Sequence, residues 1–206
     1  MSDRPKYIPP TIFDICESSD VLNYMGYHEY FDLVYKQNRN LMKYNGDTPL
    51  IVLMNSEFYK KFEWLYGKKD EEARKLKLRL VPYLVKRSGV PINHKNKKGF
   101  TALMRAIILS RGQDVELFKL LIENGANPNI KDEKGHNAVF QLYTYGHPHN
   151  IILKPAYDLF MKYINNPKEK VKLSVLTSSK AGWGDEDEYE DVTIDAYELP
   201  KYLEFS

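Results

Sequence analysis

One short pattern opens three successive stretches of this chain, and stacked helix pairs are the simplest thing it can build. Gly46-Asp47-Thr48-Pro49-Leu50, Gly99-Phe100-Thr101-Ala102-Leu103 and Gly135-His136-Asn137-Ala138-Val139 share a glycine, a capping residue two positions on, and an apolar run behind it. The middle copy is the most complete. Thr101 can cap a helix through its hydroxyl, and Leu103, Ala106 and Ile107 give that helix one apolar face at i, i+3 and i+4 spacing. A break at Ser110-Arg111-Gly112 follows. Leu117, Leu120 and Leu121 then form the face of a second helix, which Gly125 ends by supplying a positive φ. A helix pair of this size cannot bury its own apolar face, so it requires like neighbours, about three units in all.

Helix, break, helix and then Gly125-Ala126-Asn127, in that order, make Gly99–Asp132 similar to the ankyrin repeat. Ala102 stands where the family has proline and Met104 where it has a histidine that braces adjoining loops. The upstream copy keeps the proline as Pro49 but has Ile51 at the histidine position. Its second helix is expected to end at Leu84–Gly89. The copies start 53 and 36 residues apart, against a family period of about 33, so the first carries an insertion. The resemblance implies an all-α solenoid of three to four helix pairs. Residues 1–44 would form a capping repeat and 45–166 the repeats, with the insertion at about 56–79. Residues 167–206 would be a C-terminal extension, and Tyr157–Ile164 the last amphipathic helix.

The insertion holds an aromatic cluster, Phe58, Tyr59, Phe62, Trp64, Leu65 and Tyr66, then a turn at Gly67-Lys68-Lys69-Asp70. Asp70 is expected to cap a charged helix over Glu71–Leu80, and Pro82 to kink or restart it. Its bases, Lys60, Lys61, Lys68, Lys69, Arg74, Lys75, Lys77 and Arg79, could meet phosphates. Asp70, Glu71 and Glu72 among them argue against a nucleic-acid partner. Beyond Pro167 the periodicity changes to two. Val171, Leu173 and Val175 read as a short strand, as do Val192, Ile194 and Ala196, which suggests a hairpin or an extended arm. Charge is distributed unevenly: residues 185–206 hold nine acids and one lysine, a net of −8, leaving 29 bases and 19 acids, a net of +10, in residues 1–184. Such separation bears on association rather than fold.

Catalytic and cofactor chemistry find no foothold here. There is no phosphate-cradling glycine loop and no nucleophile elbow. His147-Pro148-His149 lacks a nearby third ligand, so no metal is expected, and no cofactor either. Cys16 is the single cysteine, in the apolar context Ile12–Cys16, and internal disulfides are impossible. No apolar run reaches the roughly 18 residues of a membrane span, and Met1–Pro5 lacks the apolar core of a secretory signal. The expectation is a non-enzymatic protein of the cytoplasm, with the nucleus left open. A large virus or an intracellular pathogen is a further reading of its origin.

The resemblance also implies how the protein works. Ankyrin proteins bind protein partners through the tips of their β-turn fingers and the inner-helix surface. By position the fingers are Asn96, Lys97 and Lys98 with Phe100, and Asp132, Glu133 and Lys134 with His136. Arg105 lies on the inner helix. A protein-interaction adaptor is therefore expected. The alternative is a structural or inhibitory protein whose acidic, aromatic tail is the active ligand.

Overall fold

A computed structural model describes residue 13 and residues 45–55, 67–86, 89–145, 153–166, 168, 170–178 and 188–195. Among them the elements run α1 (Pro49–Asn55), α2 (Gly67–Lys86), α3 (Ala102–Ser110), α4 (Val115–Glu123), α5 (Ala138–Tyr145) and α6 (Leu153–Met161). A hairpin of β1 (Lys170–Ser178) and β2 (Glu188–Asp195) follows. The helices pair as α1 with α2, α3 with α4 and α5 with α6. Inner helices α1, α3 and α5 pack on one another in turn, and outer helices α2, α4 and α6 do the same. One core runs through both layers. It takes Leu50, Leu53 and Met54 from α1, Leu80, Val81 and Leu84 from α2, and Leu103, Ala106 and Ile107 from α3. Leu117, Phe118 and Leu121 of α4, Phe140 and Leu142 of α5, and Phe160 of α6 complete it. The periodic face read from α3 is buried as expected. In α4 Leu120 is only partly buried, and Phe118 is sealed completely instead.

Local chemistry explains where each helix starts and stops. Thr101 takes φ −90° and ψ 170°, and its hydroxyl accepts from the Met104 N–H. Asp114 caps α4 by accepting from the Leu117 N–H, and Asn137 caps α5 by accepting from Val139 and Phe140. Helix α4 ends as the sequence pattern implies. Gly125 has φ +99°, the Ala126 N–H returns to the Leu121 carbonyl and the Gly125 N–H to Ile122. That is the paired-bond stop that satisfies the last carbonyls. Helix α3 ends the same way but places Arg111 at the left-handed position, with φ 50°.

The caps lead to a stability expectation. Thr101 already holds the extended geometry that a following proline demands, and Pro49 occupies the corresponding first position of α1 within the core. Ala102→Pro should therefore stabilise the fold by about 0.4–1 kcal/mol, through the unfolded chain. Ala138→Pro should do the opposite, because the Ala138 N–H donates to the Pro128 carbonyl at 3.0 Å. Urea unfolding of the two variants checks the sign of each.

Side chains one helix pair apart in sequence also stitch the array. Asn93 donates to the Gly125 carbonyl at 2.9 Å and accepts from the Asn127 N–H at 2.8 Å. Asn129, 36 residues on, repeats this towards the Tyr163 carbonyl and the Asn165 N–H. Each asparagine thus satisfies backbone groups of the next loop with both ends of one amide.

Helix α2 departs from expectation. It begins at Gly67, so Lys68–Asp70 are helical rather than a turn, and Asp70 does not precede the helix. It also runs through Pro82 instead of restarting there. Apart from Asp70, the stretch from Lys68 to Arg79 consists of residues that favour helix. The burial of Leu80, Val81 and Leu84 offsets the bond that proline forfeits. Lys77 is buried, at 1% exposure, so it is not a surface base for phosphates. Helix α6 lies earlier than the expected Tyr157–Ile164, starting at Leu153. The strands cover the expected alternating residues up to Ile194, antiparallel, with Lys170 opposite Asp195 and Leu173 opposite Val192, and Ala196 lies outside the described residues. Cys16, the capping repeat apart from Phe13, the aromatic cluster Phe58–Tyr66, His147, His149, and residues 185–187 and 196–206 lie outside the described residues.

Candidate interaction surface

Two fingers of identical construction project between the helix pairs. In the first, the Asn96 carboxamide oxygen accepts from the Lys98 and Phe100 N–H groups, both at 3.0 Å. The Asn96 N–H donates to the Phe100 carbonyl, and the Gly99 N–H to the Asn96 carbonyl. In the second, Asp132 takes the place of Asn96. Its Oδ1 accepts from Lys134 at 2.8 Å and His136 at 2.9 Å, with the matching backbone bonds to His136 and from Gly135. One acceptor oxygen facing two successive donors is what closes such a turn. The fingers also touch each other's line: the Lys97 N–H donates to the Asn45 carbonyl at 3.0 Å, and His94 Nε2 lies 3.0 Å from the Gly46 carbonyl.

The residues named from the sequence therefore divide by job. Asn96 and Asp132 are occupied in building the turns, and Asp132 is buried, with Gln141 Nε2 donating to its Oδ2 at 2.6 Å. Lys97, Lys98, Glu133 and Lys134 are exposed at the tips. Phe100, His136 and Arg105 are half-buried behind them. His136 stacks on Phe140, ring centres 6.5 Å apart, and the Arg105 guanidinium lies 5.7 Å from the Phe100 ring centre. Lys95 and Lys131 are exposed too, so the finger row presents five lysines against the single exposed acid Glu133.

A polar chain that the sequence did not announce runs beneath this row. Asp47, 3% exposed, accepts from Asn45 Nδ2 at 2.7 Å, Asn55 Nδ2 at 3.1 Å and Asn96 Nδ2 at 2.7 Å. Asn55 Oδ1 in turn accepts from Arg105 Nε at 2.6 Å. Burial lowers the basicity of Arg105, and the carboxylate charge of Asp47 acts in the opposite direction. The guanidinium stays charged at any working pH. One repeat on, Gln141 holds the position of Arg105, four residues after its cap, and is fully buried. Among the described residues no group of three or more His, Cys, Asp or Glu could hold a metal ion, and no helix is long and apolar enough to cross a membrane.

Residues 98–133, which take in the end of the first finger, α3 and α4, match the family model described as ankyrin repeat. This stretch is an ankyrin repeat. The chain's described helices form an all-α ankyrin solenoid. The chain is 49% identical over 49 residues to an ankyrin repeat protein of Acanthamoeba polyphaga mimivirus, covering 23% of this chain and 8% of that protein. A second ankyrin repeat protein of the same virus is 34% identical over 98 residues, 45% of this chain and 15% of its own length. The matching stretches are thus small parts of both relatives. Ankyrin repeats generally mediate protein–protein interaction.

Proposed function

We propose that this ankyrin array is an adaptor that holds an acidic protein partner. The partner would lie across the finger tips Lys97, Lys98, Glu133 and Lys134 and the inner surface at Phe100, Arg105 and His136. The observation that carries this reading is the matched construction of the two fingers. Asn96 and Asp132 pin each turn by the same pair of side-chain bonds, so the exposed tips stand on rigid backbone. Pre-ordered groups lose less entropy on binding than free loops do. The excess of exposed lysine over acid in the row favours a partner of opposite sign and would speed encounter. Its similarity to mimivirus proteins supports a role in a virus-infected cell, in the host cytosol. No catalytic step is assigned.

Charge reversal at Lys97, Lys98 and Lys134 tests the reading against reversal of Glu116, Lys119 and Glu123, exposed on outer helix α4. The finger variant should lose the proteins that the parent captures, by roughly tenfold or more for each buried charge pair broken. Its melting temperature should move by only a few degrees, as surface changes cost little. Equal capture by the parent and the finger variant would place recognition elsewhere. The tail reading has its own support, since β2 carries Glu188, Glu190, Asp191 and Asp195. Removing residues 185–206 should leave capture by the fingers intact, and its loss would make the tail the ligand.

A further inference from the structure

Arg105 is held in an unusual way for a cation inside a solenoid. Its Nε–H is committed to Asn55 Oδ1 at 2.6 Å, and Asn55 is anchored by donating to Asp47. An amide therefore stands between the guanidinium and the buried carboxylate. Among the described residues no acid pairs directly with Arg105, and its Nη nitrogens bond none of them, yet they are not sealed from solvent. Phe100 covers one face of the group. Tyr145, at the exposed end of α5, stands close enough to interact with it. A half-desolvated guanidinium without a direct counter-ion has unmet demand for an anion. With the plane fixed through Nε, the free donors form a fork that matches a carboxylate's two oxygens.

We propose that Arg105 is a carboxylate seat, in which its Nη groups receive an Asp or Glu side chain of an acidic partner segment above the Phe100 ring. This rests on the finger surface proposed above and names the group that surface reads. The five exposed lysines draw an acidic segment in by field, which any cation can do. Arg105 adds geometry, because only a planar fork binds both oxygens at once. Asn55 and Asp47 are positioning residues: they orient the guanidinium and leave its outer donors unspent.

The test uses the full chain and fluorescein-labelled hexaglutamate, followed by anisotropy at low ionic strength. The parent should bind the probe. R105K, which keeps the charge, should lose roughly tenfold in affinity and keep the salt dependence of the parent, while K97Q/K98Q/K134Q should weaken binding and flatten that dependence. Nitrogen-15 spectra of the parent give a readout independent of any folding defect. The Arg105 guanidinium signals, assigned by their absence from R105K, should shift as probe is added. Binding of R105K equal to the parent, or stationary Arg105 signals while the probe binds, overturns the seat and leaves the finger surface standing if the lysine variant is impaired. If neither variant is impaired, both readings fall. A probe that binds only once the acids of residues 185–206 are neutralised would put the chain's own tail in the seat, overturning a separate partner.

Discussion

Phe118→Ala should cost the array about 3–5 kcal/mol, the range for emptying a buried aromatic site. Phe118 has no exposure, and its ring lies 5.5 Å from Phe160 at 38°, within the spacing at which aromatic pairs attract. That contact joins α4 to α6, so the substitution removes core volume and also the outer-layer link between two repeats. In a solenoid each unit meets only its neighbours, and stability is a sum of unit and interface contributions. The loss should therefore be felt unevenly. Amide exchange should rise first along α6, which packs on α4, and along α5, which pairs with α6, and less along α1. Urea unfolding gives the total and exchange the distribution. A loss below about 1 kcal/mol would mean that Phe118 is not the wedge its burial indicates.

What could be read from the sequence was what depends on near neighbours along the chain. Thr101 capping α3, the burial of Leu103, Ala106 and Ile107, and the positive φ of Gly125 each follow from a few adjacent residues. The course of α2 through Pro82 did not, because propensity forbids it and only the burial of Leu80, Val81 and Leu84 permits it. The chain from Asp47 through Asn55 to Arg105 spans 50 residues between its last two members. Its register depends on how the extra residues of the first unit are accommodated. A signal for part of it was nonetheless present: Asn96 and Asp132 stand 36 residues apart, as do Asn93 and Asn129. Polar residues repeating at the unit spacing inside loops mark groups that close turns or bridge repeats. Arg105 was placed on the inner helix by position alone; its bond to Asn55 is what makes it more than a solvated charge.

Two glycines in equivalent finger positions separate the cost of a backbone conformation from the cost of a neighbour. Gly99 has φ +77° and Gly135 φ +83°, so an alanine at either adopts the left-handed region at about 1–2 kcal/mol. Their surroundings differ. A Cβ on Gly99 would lie 2.7 Å from the Glu133 backbone nitrogen and 3.1 Å from Asp132 backbone carbons, whereas nothing lies within 4 Å of one on Gly135. The atoms in the way at Gly99 are main chain, pinned by the Asp132 turn bonds, and cannot swing aside as a side chain would. Gly135→Ala should therefore cost only the conformational 1–2 kcal/mol. Gly99→Ala should cost a further 1–3 kcal/mol or so for overpacking and push the two fingers apart. Gly46→Ala, whose Cβ would sit 3.2 Å from the Lys97 nitrogen, should fall between them. Urea unfolding of the three variants gives the order. If Gly99→Ala and Gly135→Ala destabilise equally, the fingers are not packed backbone to backbone, and the rigid row on which the lysine tips stand is lost with that packing.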